Sequence, residues 1–194
     1  MTFWTEPVWK SLIVQTTEPL FTPQQCQDII KAGRSQPREE GEVGLTPGKG
    51  KVKKNTRTSH ISWIPFKTLE PMYKILDQTI RKVNNNHYGY EGICLNEPAQ
   101  YTEYPEGGFY EWHTDSELVG TAQPPVRKIS MTCLLSHESE FEGGGLELVE
   151  EGRVVKPKQG YAVFFSSFIR HRVVPIIKGN RKSLVVWFGG PPFK

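Results

Sequence analysis

Tyr161-Ala162-Val163-Phe164-Phe165, with His171 six residues past its end, and Ser183-Leu184-Val185-Val186-Trp187-Phe188, opened by Arg181, decide how this chain folds. Both are short, strongly apolar runs that read as buried strands with a polar residue delivered at the edge. Upstream, Phe109-Tyr110-Glu111-Trp112-His113-Thr114-Asp115 adds a third such segment. Side chains at i and i+2 of a strand share a face, so His113 and Asp115 converge while Thr114 turns away. From Gly92 onward the signals are strands separated by glycine turns, and Ile129, Met131, Cys133 and Leu135 alternate as a core face.

The first half of the chain reads differently. Residues 11–17 form a short apolar strand, followed by a helix with Thr22 as N-cap and Pro23 in the first turn. Cys26, Ile29 and Ile30 trace its buried face, and Gly33 reads as its stop. Leu69, Met72, Ile75, Leu76, Ile80 and Val83 recur at helical spacing, which predicts a second helix over 69–84. Between the helices, residues 35–58 are rich in Gly, Pro, Lys and Glu and carry few large apolar groups, so a flexible loop is expected. Its basic cluster, Lys49, Lys51, Lys53, Lys54 and Arg57, reads as solvated surface or as a lid that orders over substrate. Two helices on a β-rich half that closes as a double-sheet barrel give a mainly-β α+β fold.

Composition narrows the class. The chain has 194 residues, a single-domain length, and a formal net charge of +3 with both signs interspersed. No stable nucleic-acid partner and no attraction to acidic membrane is expected. Three cysteines, Cys26, Cys94 and Cys133, are widely spaced without a Cys-x-x-Cys pair, which suggests reduced thiols. No run reaches membrane-spanning length, and the first residues lack the pattern of a secretory signal. A soluble, cytoplasmic protein is the expectation, with oligomeric state open.

The chemistry lies in the ordered set His113, Asp115, His171 and Arg181. Two neutral imidazoles and one carboxylate on one face of an octahedron suit mononuclear non-haem Fe(II) and leave positions open for a chelating cosubstrate and dioxygen. A lone His-x-Asp is weak, and the same donors also suit a hydrolytic zinc. Zinc chemistry gives Arg181 no role, whereas a guanidinium there can clamp a carboxylate bidentately. His60, His87 and His137 lack companions at ligand spacing and read as structural or exposed.

With these residues in place, the chain resembles the 2-oxoglutarate and Fe(II)-dependent dioxygenases, and most closely their prolyl 4-hydroxylase-type branch. The likeness runs from about Gln100 to Lys194, through Tyr101 to Asp115, Arg127 to Ser136, Phe141 to Leu148 and His171 to Leu184. It is fainter in Phe21 to Ile30 and Arg57-Thr58-Ser59. The resemblance implies a double-stranded β-helix, or jelly-roll, core over 92–194, with 1–91 as helical support and loop of one catalytic domain. It implies His113, Asp115 and His171 as iron ligands, with Tyr104, Arg181, Ser183 and Trp187 binding 2-oxoglutarate. Arg127, Trp112 and Tyr110 become candidate substrate contacts, although packing alone accounts for the two aromatics. Leu134 departs from the branch, which places a tyrosine or threonine near the distal carboxylate, so Ser183 is the candidate helper of Arg181.

The implied reaction is hydroxylation of a C–H bond with succinate and CO2 as co-products, with ascorbate as reductant and a proline-containing peptide or protein as substrate. A free amino acid, another small molecule or a nucleobase is the alternative target, and a non-catalytic jelly-roll binding module is the alternative class. Against a nucleobase, Trp187 stands where a second arginine would follow six residues after Arg181.

Overall fold

In the strand Arg181–Gly190, Leu184, Val186 and Phe188 point one way, into a core shared with both helices, while Ser183, Val185 and Trp187 point the other way into a cavity. That period-2 alternation separates a greasy outer face from a functional inner face. The computed structural model describes residues 12–41, 53–116, 124–149 and 153–192. The large antiparallel sheet runs in the order Ile13–Gln15, Ala162–Ser166, Val126–Leu134, Arg181–Gly190, Ala99–Tyr104, His60–Ile64 and Glu39–Glu40, with Cys94–Leu95 pairing on the long strand. A second sheet orders Arg153–Val155, Leu146–Leu148, His171–Val173, Phe109–His113 and Arg57–Thr58.

Between the sheets lies a small apolar cluster of Leu146, Leu148, Val163, Phe165, Val173 and Ile176. Ile129, Met131, Cys133 and Leu135 lie in the larger core, as their alternation predicts. No helix among the described residues is long and apolar enough to cross a membrane.

The helix Pro23–Arg34 begins at the expected cap, where the Gln25 N–H donates to Thr22 Oγ1 at 3.2 Å and the Thr22 N–H donates to Gln25 Oε1 at 2.9 Å. Gly33 does not stop it. The helix continues to Arg34, and Gly33 is where its backbone lies against the ring of Tyr101, so close that a Cβ would overlap the ring carbons. Gly33→Ala is therefore expected to overpack this contact by about 1–3 kcal/mol, offset by about 1 kcal/mol of helix propensity. For a net loss of about 1 kcal/mol, calorimetry should show a melting temperature lower by roughly 2–4 °C, and an unchanged or raised value would refute the close-approach reading.

The second helix spans Glu70–Val83 and buries Met72, Tyr73, Leu76 and Ile80, then widens into a π-helical turn, Asn84–Tyr88, ended by Gly89 at φ 70°. The N-terminal half is more than support, because Ile13–Gln15, Glu39–Glu40, Arg57–Thr58 and His60–Ile64 extend both sheets. The loop expected over 35–58 thus carries strand at each end, and Lys49 and Lys51 of its basic cluster lie outside the described residues. Lys53 and Lys54 are exposed, Lys54 pairing with Glu40 at 3.6 Å. Arg57 departs from the cluster reading, being only 7% exposed in the cavity wall with its guanidinium 4.5 Å from the Tyr110 ring centre.

Candidate active site

His113 closes one strand of the smaller sheet, His171 opens its neighbour, and the two are register partners. Asp115 sits just past the strand, where its N–H donates to the Ser167 carbonyl at 2.9 Å. One donor atom from each of the three lies within 4.8 Å of the others; Asp115 Oδ1 is 3.8 Å from His113 Nε2, and Oδ2 is 3.5 Å from His171 Nε2.

Backbone carbonyls decide the tautomers. His113 Nδ1 lies 2.7 Å from the Glu111 carbonyl and His171 Nδ1 lies 3.0 Å from the Ile169 carbonyl. A carbonyl can only accept, so each Nδ1 carries the proton and each Nε2 offers a lone pair toward Asp115. Burial, reinforced by His171, pushes the His113 imidazole well below its ordinary value, so it stays neutral and available as a ligand. Burial works to raise Asp115, but the facing histidines, Arg127 and a hydrogen bond from Ser130 together hold it below the usual carboxylate range. Two lone-pair nitrogens and an ionised carboxylate form a donor set that fits a divalent ion and leaves one side open.

Ser130 Oγ donates to Asp115 Oδ2 at 2.7 Å and lies 3.0 Å from Ser167 Oγ. Groups that orient a metal ligand in this way typically account for about 10- to 100-fold in metal affinity. Ser130→Ala should weaken Fe(II) binding by roughly that factor in a competition titration while the fold, read by circular dichroism, stays intact. Wild-type affinity would show that Asp115 needs no such support.

Arg181 is 2% exposed, and its Nη1 donates to Ser183 Oγ at 3.1 Å. Its guanidinium lies 5.6 Å from the centre of the Tyr104 ring, whose residue pairs with it across the strands. No carboxylate stands within ion-pair distance of it among the described residues. Burial lowers its pKa, yet an arginine stays charged in protein, so this cation is buried without a counter-ion. Leu134, fully in the interior, pairs with Ser183 across the strands and offers Arg181 no polar partner.

A cavity of about 340 Å³ joins the metal-ligand cluster to Arg181. Of the residues singled out from sequence, Tyr104, Ser183, Trp187, Arg127 and Tyr110 line it together with these, and Trp112 does not. His171 pairs with His113 but Val173 pairs with Tyr110, so one extra residue bulges from the Phe109–His113 strand. The bulge shifts the side-chain phase. Tyr110 comes to stack on His113, ring centres 3.5 Å apart, while Trp112 packs on the other side against Arg172 and Arg170, 5.0 and 5.8 Å away. Arg127 is clamped bidentately by Glu97, both contacts at 2.6 Å, and stacks 3.8 Å above the Trp187 ring. Sequence reasoning passed over Gln100, Thr132 and Ser130. The polar residues recurring at every second position, Gln100, Thr102 and Tyr104 on one strand and Ser130 and Thr132 on another, were the signal for an inner face.

Residues 99–189 match the model of the 2OG-Fe(II) oxygenase superfamily. A PKHD-type hydroxylase of Acidovorax ebreus is 34% identical over 97 residues, 46% of this chain and 42% of that protein. One from Alteromonas mediterranea is 30% identical over 122 residues, 59% of this chain and 54% of its own length. The matches thus span about half the length of these relatives. Among solved structures, a viral collagen prolyl hydroxylase from Paramecium Bursaria Chlorella virus-1 superposes with a TM-score of 0.72 at 19% identity, over 93% of this chain and 97% of that one. A Pseudomonas putida prolyl-4-hydroxylase gives 0.67 at 20% identity, over 93% of each. These likenesses show the double-stranded β-helix fold. Fold, matched segment and assembled His-Asp-His cluster agree: over residues 99–189, just under half of the chain, the sequence is similar to the 2OG-Fe(II) oxygenase superfamily, a family that implies Fe(II), 2-oxoglutarate and dioxygen, and the fold is that of the prolyl 4-hydroxylase type.

Proposed function

We propose that this chain, as one catalytic domain, is an Fe(II)- and 2-oxoglutarate-dependent dioxygenase that hydroxylates a peptidyl proline, with ascorbate keeping the iron reduced. The observation that carries the reading is Arg181, a guanidinium buried without a counter-ion among the described residues, in the cavity that the His-Asp-His cluster opens onto. A buried unpaired charge is costly to keep, and a dicarboxylic guest removes that cost when it binds. A hydrolytic zinc site or a degenerate binding module has no use for such a cation.

His113, Asp115 and His171 would hold the iron, which with the 2-oxo acid supplies the oxidation of a C–H bond by dioxygen, giving succinate and CO2. The protein's own contribution is placement. The Glu111 and Ile169 carbonyls hold the two imidazoles in the ligating tautomer, and Ser130 fixes the carboxylate. Arg181, steadied by Ser183 and faced by Tyr104, anchors the cosubstrate's distal carboxylate. Arg127, locked by Glu97, sets the plane of Trp187 at the other end of the cavity. Proline as target is supported by the shared prolyl hydroxylase fold, and a peptide by the neighbour from Trichoplax adhaerens, solved with a peptide fragment bound. Three free thiols, Cys26, Cys94 and Cys133, support a reducing, cytoplasmic setting.

The test is to incubate the purified protein with Fe(II), ascorbate and 2-oxoglutarate, and to follow succinate with and without proline-containing peptides. Peptide-stimulated succinate and a mass gain of one oxygen are expected. Succinate stimulated only by a free amino acid would move the target, and zinc-dependent hydrolysis in its place would sink the reading.

A further inference from the structure

We infer that a second cavity, on the outer face of the large sheet, is a binding site for a phosphate group held by Arg34, Arg38 and His60. The inference stands apart from the dioxygenase reading, because this cavity and the one holding the His-Asp-His cluster lie on opposite faces of the same strands.

The second cavity measures about 290 Å³, only slightly less than the 340 Å³ of the first. It opens between the end of the helix Pro23–Arg34 and the strands His60–Ile64 and Ala99–Tyr104. His60 pairs with Glu103 and Ser62 with Tyr101, and register partners share a face, so all four line it. Ile61, between His60 and Ser62, lines both cavities and is the wall between them.

A buried carboxylate organises the cations. Glu103 is 9% exposed, and its Oε1 accepts from the Tyr101 hydroxyl at 2.5 Å and from Arg34 Nε at 2.8 Å. Burial works to raise the Glu103 carboxyl, but the bonds from Tyr101 and Arg34 hold it below its ordinary range, so it stays ionised and fixes Arg34 in place. Arg38 brings a second guanidinium to the same carboxylate, with Nη2 4.0 Å from Oε2, too far for a hydrogen bond. Neither guanidinium makes another hydrogen bond among the described residues.

The neighbouring charges are already spent. Lys182, opposite Glu103 in the next strand, pairs with Glu140, and Glu40, opposite His60, pairs with Lys54 at 3.6 Å. Two arginines over one carboxylate therefore leave one positive charge in excess among the described residues. That excess is carried by uncommitted, planar N–H donors, the geometry that grips oxyanions. His60 adds an N–H from the facing strand. A carboxylate offers two oxygens in one plane, whereas a phosphate offers three acceptor oxygens and nearly twice the charge, which matches donors arriving from three side chains. The negative end of the helix dipole would oppose an anion here, but it is covered. The Ser35 N–H donates to the Lys31 carbonyl at 3.1 Å, and the Gln36 N–H and Ser62 Oγ donate to the Gly33 carbonyl at 3.1 and 2.7 Å.

Inorganic phosphate and a small phosphomonoester share this chemistry, and three probes separate them: inorganic phosphate, phenyl phosphate and benzoate, each titrated into the wild-type protein by calorimetry. One-to-one, saturable binding of phosphate or phenyl phosphate is expected, with benzoate at least about tenfold weaker. Tighter binding of phenyl phosphate marks a monoester site, and tighter or equal binding of inorganic phosphate marks a site for the free ion. Arg38→Gln changes an exposed side chain without a hydrogen bond, so its melting temperature should match wild type while the Kd rises roughly 10- to 100-fold. Arg181→Leu, which removes the cation of the other cavity, should leave the Kd within about twofold. Independently of affinity, the imidazole resonance that disappears in His60→Ala should shift when the phosphate probe joins wild-type protein. Absence of saturable binding by both phosphates overturns the inference, as does a Kd unmoved in Arg38→Gln or binding lost in Arg181→Leu. Benzoate binding as tightly as phenyl phosphate overturns it too, since the site would then select a carboxylate.

Discussion

Asp115→Ala protein is expected to lose at least about 100-fold in Fe(II) affinity and to form no measurable succinate. The factor is a lower bound, because removing a group that merely orients a ligand already costs about 10- to 100-fold. Asp115 supplies the only negative charge of the three-residue cluster, and without it two neutral imidazoles must hold a dication in a buried site. Folding should survive the change, because Ser130 keeps Ser167 as a partner and the Asp115 backbone N–H still has the Ser167 carbonyl. Equilibrium dialysis with Fe(II), succinate assay and a melting curve measure the three quantities separately. His171→Ala should behave alike, since His171 is the register partner of His113 and completes the same cluster. Full turnover by either variant would remove the residue from the ligand set.

Arg181→Leu should raise the KM for 2-oxoglutarate by roughly 30- to 5,000-fold, the equivalent of about 2–5 kcal/mol for truncating one side of a buried charge pair. The opposite effect is expected on the ligand-free protein. Among the described residues Arg181 is buried with one hydrogen bond to Ser183 and no counter-ion, so an apolar side chain should leave the melting temperature unchanged or higher. That pairing of weaker binding with equal or greater stability is the signature of a residue kept for its ligand. Arg181→Lys should fall between, keeping the charge and losing the planar fork that grips a carboxylate at two points. A stability loss in Arg181→Leu with an unchanged KM would make Arg181 structural and would leave the cavity without its cosubstrate anchor.

How far the sequence reaches can be judged residue by residue. Thr22, Pro23 and the Cys26, Ile29, Ile30 face place the first helix, because capping and 3.6-residue periodicity are local properties. The alternation of Ile129, Met131 and Cys133 places the core face of a strand in the same way. Gly33 has the local signature of a helix stop, yet its role is to let the helix approach Tyr101 of a distant strand. Arg57 looked like one cation in a solvated run until strand pairing set it against Tyr110 inside the cavity wall.

By itself the sequence determined the residue types of the site and their order, His113, Asp115, His171 and Arg181, each at the edge of an apolar run, whereas Tyr104 came from the family resemblance. Those follow from period-2 patterning and ligand chemistry, which need no knowledge of what lies across the sheet. Only the tertiary structure decided which neighbours those residues meet. The bulge that sends Tyr110 inward and Trp112 outward, the pairing of Ser130 with Asp115, and the want of a counter-ion at Arg181 depend on register between strands far apart in the chain. Register is set by the sum of many packing contacts, so no local run of residues records it.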